Sequence, residues 1–257
     1  MPTSQTSQSS RPSPLTHWHP GINCCDTEWE EYYVRFETPE QEIQKFQRRH
    51  KIAGVDQWPK DWEIVEIFCG RGNGLKALER FGFSNLEGVD LSPDLLKKYD
   101  GPAKLYVDDC REMKFADNSK DAICVQGGLH HVPKLPEDLE MVLSEVQRIL
   151  KPGGKFFVVE PWLTLFLRFM HGLCSISPLR RVWPKLDAMA GMIDHELDTY
   201  LPWLASKQQI LDLLQDKFVV EKQYTAFAKL MFVGHKRLDE SAQLCSAKRC
   251  QKSFRAT

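Results

Sequence analysis

The chain has 257 residues, 42% of them hydrophobic, which is enough for one large domain with a sizeable core. Its net charge of -1 gives no general attraction to nucleic acid, so no nucleic-acid partner is expected. The eight cysteines form no C-x-x-C pair. We therefore expect no metal site, and we expect the reduced thiols of a cytoplasmic protein.

The two ends of the chain differ in composition from its middle. Residues 1–20 are rich in Ser, Gln, Thr and Pro and lack the apolar segment of a secretory signal, so they are predicted to form a disordered tail, with an organelle-targeting sequence as the alternative. Residues 21–60 are predicted to form an N-terminal cap, and residues 237–257 a flexible basic tail. No apolar run is long enough to cross a bilayer.

From residue 61 to residue 236, short apolar runs alternate with amphipathic segments. The strands are predicted at residues 64–68, 86–90, 104–107, 121–126, 155–160, 218–223 and 230–234. The clearest helices are predicted at residues 93–99, 137–150 and 206–215, and a further helix follows the first strand. This alternation predicts a doubly wound α/β domain with a seven-stranded, mostly parallel sheet. Residues 162–205 interrupt the alternation and are predicted to form a helical lid insertion.

A glycine-rich turn, residues 70–74, directly follows the first strand. A strand, a glycine turn and a helix in this order form a binding crevice at the carboxyl edge of a sheet. A dinucleotide fingerprint would need glycine at Leu75, and a P-loop would need G-K-[ST], so the turn disfavours a diphosphate ligand. It instead follows an acid, Glu66, which suits a ligand with a positively charged amino group. The amino-acid end of S-adenosylmethionine has such a group.

Further acids lie at the ends of the next two strands. Asp90 ends the second strand, where a carboxylate can accept both ribose hydroxyls of an adenosine. The Asp108-Asp109 pair ends the third, where a carboxylate can accept from the adenine amino group. The alternatives are that Asp90 caps the next turn and that the aspartate pair lies in a solvated loop.

Five stretches together resemble the class I S-adenosylmethionine-dependent methyltransferases, and among them the type 11 family of Rossmann-like fold. They are residues 65–74 (VEIFCGRGNG), 88–92 (GVDLS), 109–119 (DCREMKFADNS), 128–133 (GLHHVP) and 150–154 (LKPGG). The resemblance implies S-adenosyl-L-methionine as the cofactor and an antiparallel last strand in the sheet. Three positions depart from the family pattern: Glu66 stands where Asp is commoner, Lys114 where Pro is frequent, and Lys120 where an aromatic residue is usual.

The resemblance also assigns roles to single residues. It places the methionine moiety against Glu66 and the glycine turn, and the ribose on Asp90. The adenine would contact Leu91, Asp109 and the Cys110 backbone, and the sulfonium would lie beside Gln126 and Gly127. The full set of cofactor-binding residues is Glu66, Phe68, Cys69, Gly70, Gly72, Gly74, Asp90, Leu91, Asp109, Cys110, Gln126 and Gly127.

Catalytic groups are expected on the acceptor side of the cofactor. His130 and His131 follow the fourth strand, and either can take a proton near pH 7, with His131 the preferred base. The alternative is that the pair packs against the following turn. His195, Glu196 and Tyr200 are further candidates on the acceptor side.

The lid insertion is predicted to cover the acceptor. One helical face is assigned to Leu163, Phe166, Leu167 and Met170, and the opposite face to Thr164, Arg168 and His171. Such a segment forms an apolar acceptor pocket, or makes a peripheral membrane contact. The membrane contact would run through Trp162, Arg168, Arg180, Arg181 and Trp183. A packed helix with a solvated rim is the plainer interpretation.

The predicted function is methyl transfer to an O, N or C nucleophile of a small molecule, such as a lipid, an isoprenoid or a sugar. The fourth strand lacks the Asn/Asp-Pro-Pro-aromatic signature of enzymes that methylate DNA bases. A protein methyltransferase, a non-catalytic cofactor-binding module and an NAD-dependent oxidoreductase remain as alternatives. The sequence does not predict the acceptor or the oligomeric state.

Overall fold

The computed structural model describes residues 15–22 and 27–238. The strands are β1 (Thr16–His17), β2 (Ile64–Ile67), β3 (Leu86–Asp90), β4 (Lys104–Val107), β5 (Lys120–Gln126), β6 (Leu150–Pro161), β7 (Val219–Ala226) and β8 (Lys229–His235). The α-helices are α1 (Thr27–Phe36), α2 (Pro39–Ala53), α3 (Asn73–Glu79), α4 (Pro93–Leu96), α5 (Glu137–Ile149), α6 (Leu165–Cys174), α7 (Ser177–Val182), α8 (Pro184–Ala205) and α9 (Lys207–Lys217). Most of both predicted tails, residues 1–14 and 239–257, lies outside the described residues.

The strands form one mixed sheet in the order β1-β4-β3-β2-β5-β6-β8-β7. β8 is antiparallel to both β6 and β7, and the other pairs are parallel. The predicted α/β fold with a mostly parallel sheet is thereby confirmed. The sheet described has eight strands instead of seven, because the short β1 pairs with the edge strand β4. A strand of two residues is too short to produce a periodic sequence pattern.

Helices cover both faces of the sheet, so its central strands are apolar throughout. All four residues of β2 are buried, as expected for a parallel strand with helices on either side. On one face, α5 contributes Leu139 and Val142, which are fully buried. On the other face, α3 contributes Leu75 and Leu78, which are also fully buried. This double layer holds the strand ends in fixed positions.

The register of the sheet brings the carboxyl ends of five parallel strands to one edge. Glu66 on β2 aligns with Gly88 on β3 and with Cys124 on β5. Asp90 at the end of β3 aligns with the last residue of β4. Gln126 at the end of β5 aligns with Val159, one residue before Glu160. Polar residues that are far apart in sequence therefore become neighbours.

Two groups of helices are joined beside this edge. α1 packs on α8 of the insertion, where Arg35 pairs with Asp187 at 2.9 Å. α2 packs on α3, where Glu42 accepts a hydrogen bond from the Asn73 amide at 2.8 Å. Within the described parts of the chain, no helix combines the length and the apolar character needed to span a bilayer.

Candidate functional site

Glu66 is a buried carboxylate at the edge of the sheet. Its side chain is 3% exposed, and its Oε2 atom has no hydrogen-bond partner. Burial, reinforced by the nearby Glu42, raises its pKa to about 8. Because an unpaired buried carboxylate is destabilising, this position favours a cationic donor. A ligand ammonium group beside Oε2 would donate a hydrogen bond to this atom and would compensate the negative charge of the carboxylate.

The glycine turn approaches Glu66 so closely that one position must be glycine. A Cβ atom at Gly74 would overlap the Glu66 carboxylate. Gly72, a predicted cofactor-binding residue, also packs closely on the protein itself. A Cβ atom there would overlap the ring of Tyr99, and its backbone lies in the left-handed region with φ 74°. A substitution at Gly72 would therefore disturb the packing of the turn before it reached a ligand, so it is a poor test of cofactor binding.

Asp90 is held in place by the backbone around it. Its two oxygens accept hydrogen bonds from the Gly70 and Ser92 amides, both at 2.8 Å. Burial raises its pKa. Since each carboxylate oxygen can accept more than one hydrogen bond, Asp90 can still receive the two hydroxyls of a ribose. The predicted role therefore fits this geometry.

Asp109 lies beside Asp90 and already has a cationic partner. Its Oδ2 atom is 2.7 Å from Nη2 of Arg111, and Arg111 also reaches Asp138 at 3.1 Å. Burial raises the pKa of Asp109, but the hydrogen bonds from Arg111 outweigh burial and lower it overall. The carboxylate keeps acceptor capacity for an adenine amino group. The Arg111 contact was not foreseen from the sequence.

Gln126 closes the edge on the β5 side. Its amide nitrogen lies 3.2 Å from Nε2 of His50, and its Oε1 atom has no partner. Gly127, the next residue, has φ 79°, and a Cβ atom there would lie 4.0 Å from the His130 ring. Two unpartnered buried oxygens, on Glu66 and Gln126, thus belong to adjacent strands of one edge. The structure brings together the acids and the glycine turn that were predicted to bind one ligand.

The remaining predicted cofactor residues line the same turn and the neighbouring strand ends. Cys69 and Cys110 are buried thiols, and burial raises the pKa of both. Phe68 has φ 53° and packs directly under Gly128. The backbone oxygen of Leu91 accepts a hydrogen bond from Ile22 at 2.8 Å. Ile22 therefore lies beside a strand end assigned to the adenine.

His130 lies between two carboxylates. Its Nδ1 atom is 2.8 Å from Oε2 of Glu160, and its Nε2 atom is 3.6 Å from Oε2 of Glu196. Burial opposes the charged form, but the two acids outweigh it and raise the pKa of His130 to about 9. At pH 7 the ring therefore carries a proton, so His130 is not a free base. This geometry argues against its predicted role as a proton acceptor.

His131 has the opposite electrostatic character. Burial and the charge of His130 lower its pKa to about 4, so its ring is neutral at pH 7. The two rings lie 4.1 Å apart between centroids. His130, His131 and Glu196 each offer one ligand atom, all within 4.8 Å of one another, so they could also hold a metal ion. A proton on His130 satisfies the same acids without a metal.

The comparisons with known proteins agree with this geometry. Residues 65–158 match the family model described as a methyltransferase domain. The chain is 31% identical over 142 residues to a sterol 24-C-methyltransferase of Neurospora crassa, a match that covers 51% of this chain and 36% of that protein. It is 32% identical over 118 residues to a 2-methyl-6-phytyl-1,4-hydroquinone methyltransferase of Synechocystis, covering 43% and 35%.

The chain is therefore similar to methyltransferases over residues 65–158. It spans about a third of the length of the two relatives just named. A crystal structure of a Pyrococcus horikoshii protein aligns with a TM-score of 0.60 at 19% identity, over 83% of this chain and 100% of that one. At this identity the alignment supports the fold alone.

The surroundings of His130 also contain residues that sequence reasoning did not find. Glu160 ends β6 and accepts hydrogen bonds from the Gly128 and Leu129 amides at 2.9 and 2.8 Å. The signal for Glu160 was available, because it is an acid at the carboxyl end of a strand, like Asp90. Trp29 donates to Glu196 at 2.6 Å. Nothing local in the sequence pairs these two residues, which are 167 positions apart.

Proposed function

We propose that the chain transfers a methyl group from S-adenosylmethionine to a small, largely apolar molecule that carries a hydroxyl group. One observation supports the cofactor most strongly. The buried Glu66 carboxylate has one oxygen without a hydrogen-bond partner. The glycine turn approaches this carboxylate so closely that a side chain at Gly74 would overlap it. A cationic amino acid moiety is the ligand that satisfies this oxygen.

The acceptor class follows from the surroundings of His130 and from the relatives. The ring of His130 lies 6.1 Å from Tyr200 and 6.4 Å from Trp203, between centroids. Aromatic walls with a few polar groups are typical of sites for apolar ligands. The two relatives named above act on a sterol and on a hydroquinone, by their names. An apolar acceptor with a hydroxyl group is compatible with both observations.

The chain's own residues have separate tasks in this proposal. When bound, the cofactor supplies a methyl group activated by its sulfonium charge. Glu66, the glycine turn and Asp90 orient it. The neutral ring of His131 would accept the hydroxyl proton of the acceptor as its oxygen bonds to the methyl carbon and the bond from that carbon to sulfur breaks. His130 is positively charged between Glu160 and Glu196. It fixes the position of the His131 ring and does not itself accept the proton.

Incubation with S-adenosylmethionine labelled in the methyl group tests the reaction. We expect the label in an apolar quinol or sterol from a panel of acceptors that also contains sugars and peptides. Label only in a peptide would replace the proposal with the protein-methylating alternative. No transfer to any acceptor, with tight cofactor binding, would favour the non-catalytic module.

The role of His131 has its own test. His131→Gln removes the ring but keeps a polar side chain, and we expect kcat to fall by about 100-fold or more. The affinity for S-adenosylhomocysteine should stay unchanged, because His131 does not belong to the glycine turn. An unchanged kcat would show that the proton leaves by another route.

A further inference from the structure

The lid insertion contains an unusually basic stretch. Residues 165–186 contain no Asp or Glu, although the whole chain has 35 acidic and 34 basic residues. The cations in this stretch are Arg168, Arg180, Arg181 and Lys185. Arg180 pairs with Asp187 at 3.1 Å. In the described parts of the chain, the other three make no ion pair, and all three are exposed. Their charge is therefore available to an external partner.

The basic stretch and the neighbouring turn between β7 and β8 also expose large apolar side chains. Leu165 is 85% exposed, Phe169 63%, Val182 77% and Phe227 74%. Phe227, in the turn between β7 and β8, packs edge-on against Phe166, with the ring centroids 6.0 Å apart. Contiguous exposed apolar groups on a protein surface mark sites of interaction with a protein or a membrane. We define the lid face as Leu165, Phe166, Phe169, Val182, Trp183 and Phe227.

The exposed apolar side chains of α6 lie on a different side of the helix from the one that packs on the protein. The inward side of α6 contains Leu167, which is 3% exposed, and His171, whose Nε2 atom lies 3.2 Å from the Tyr200 hydroxyl. The predicted division of this helix was therefore wrong, because Phe166 points outward and His171 points inward. The helix has apolar residues on both sides, and Leu165 and Phe169 on its outer side remain largely exposed.

Phe227 adds a second, local observation. Its backbone lies in the left-handed region with φ 54°, a conformation that glycine adopts at lower cost than phenylalanine. The Phe227 carbonyl accepts a hydrogen bond from the Thr164 hydroxyl, which ties the turn to the start of α6. A strained backbone thus presents an exposed aromatic side chain beside Phe166. Folding alone would favour glycine at this position.

We propose that the lid face docks on an anionic lipid bilayer. Apolar side chains enter the interface while neighbouring cations attract the anionic headgroups. A second copy of this chain is the poorer fit, because a symmetric contact would bring the unpaired cations of both copies together. The proposal rests on the proposed function, since it lets an apolar acceptor reach the His171 side of α6 directly from the lipid.

Vesicle flotation of the full chain tests this directly. We expect binding to phosphatidylcholine vesicles that contain phosphatidylglycerol, weaker binding to pure phosphatidylcholine, and loss of binding at high salt. Phe169→Glu should weaken the binding by about tenfold or more, because it removes an inserting ring and adds a repelled charge. Met141→Glu is the matched control: Met141 is 50% exposed on α5, away from the lid face, and its change should have no effect.

Two further variants separate docking from folding. Phe227→Gly should weaken vesicle binding by about fivefold or more, while its thermal unfolding temperature stays equal or rises. Arg168→Gln with Arg181→Gln should remove the preference for phosphatidylglycerol. Equal binding of wild type and Phe169→Glu, or no binding to any vesicle, would overturn the proposal. A dimer that Phe169→Glu dissociates, without vesicle binding, would also overturn it and assign the lid face to a second copy.

A failure of membrane docking can be distinguished from a failure of the proposed function. Binding of S-adenosylhomocysteine by each variant is measured beside flotation and should equal that of wild type. Cofactor binding without vesicle binding would reject only the docking. Vesicle binding without cofactor binding would reject the methyltransferase assignment and leave the lid face as a membrane surface.

Discussion

The two halves of the site are built in different ways. The cofactor half, which comprises the ends of β2, β3 and β4 with the glycine turn, is held largely by backbone groups, as Asp90 is by the Gly70 and Ser92 amides. The proposed acceptor half comprises His130, His131, Glu160 and Glu196. Backbone amides hold Glu160, but Glu196 is held by side chains from separate segments, Trp29 and His130. The cofactor half depends on local chain geometry. The acceptor half depends on how the helices assemble, so the two halves should respond differently to substitution.

The largest expected effect concerns the acceptor half. His130→Gln leaves Glu160 and Glu196 facing each other without a cation, so the free energy of unfolding should fall by about 3 kcal/mol. The pKa of His130 is raised from 6.5 to about 9 by these acids. Its stabilisation is therefore complete below pH 6.5 and is lost as the pH rises through 9. Urea unfolding from pH 6 to pH 10 measures both effects.

His235→Gln is the control for this experiment. His235 pairs with Glu221 at 2.7 Å on the surface, where such a pair contributes little. If both variants lose the same small amount of stability, His130 does not hold the acceptor half together.

The next effect concerns the cofactor half. Gly74→Val should reduce the affinity for S-adenosylhomocysteine by about 100-fold or more, because the new side chain displaces the Glu66 carboxylate. Gly172→Ala is the matched control, since a Cβ atom there meets no other atom within 4 Å. Calorimetric titration measures both variants. Equal affinities would mean that the ligand does not use Glu66.

A smaller effect should appear in the pH dependence of cofactor binding. The pKa of Glu66 is raised from 4.5 to about 8, and a ligand ammonium would lower it again. Binding should therefore strengthen by up to about tenfold for each unit by which the pH rises towards 8, and it should release a proton. Without ligand, the raised pKa makes the protein less stable as the pH rises from 4.5 to 8. In Glu66→Gln, binding should be weaker and the steep pH dependence should disappear.

The smallest expected effect is the response to chelation. Because a proton on His130 already satisfies Glu160 and Glu196, EDTA should leave the methyl-transfer rate unchanged. Loss of activity on chelation, with recovery on adding a divalent cation, would show that His130, His131 and Glu196 bind a metal ion instead.

The sequence predicted the cofactor half more fully because its geometry is local. Glu66 and Asp90 each lie near the carboxyl end of a recognisable strand, and parallel strands bring their carboxyl ends together. The acceptor half gave weaker signals. The pairing of Trp29 with Glu196 depends on the packing of α1 on α8, which no local pattern encodes. For α6, helical periodicity alone could not tell which side faces the protein, because apolar residues lie on both sides.

Calorimetry of the wild-type chain with S-adenosylhomocysteine and with NAD, side by side, tests the central claim most directly. The unpartnered Glu66 oxygen predicts that S-adenosylhomocysteine, which carries an ammonium group, binds. It predicts little or no binding of NAD. Tight binding of NAD, with no heat from S-adenosylhomocysteine, would contradict the account.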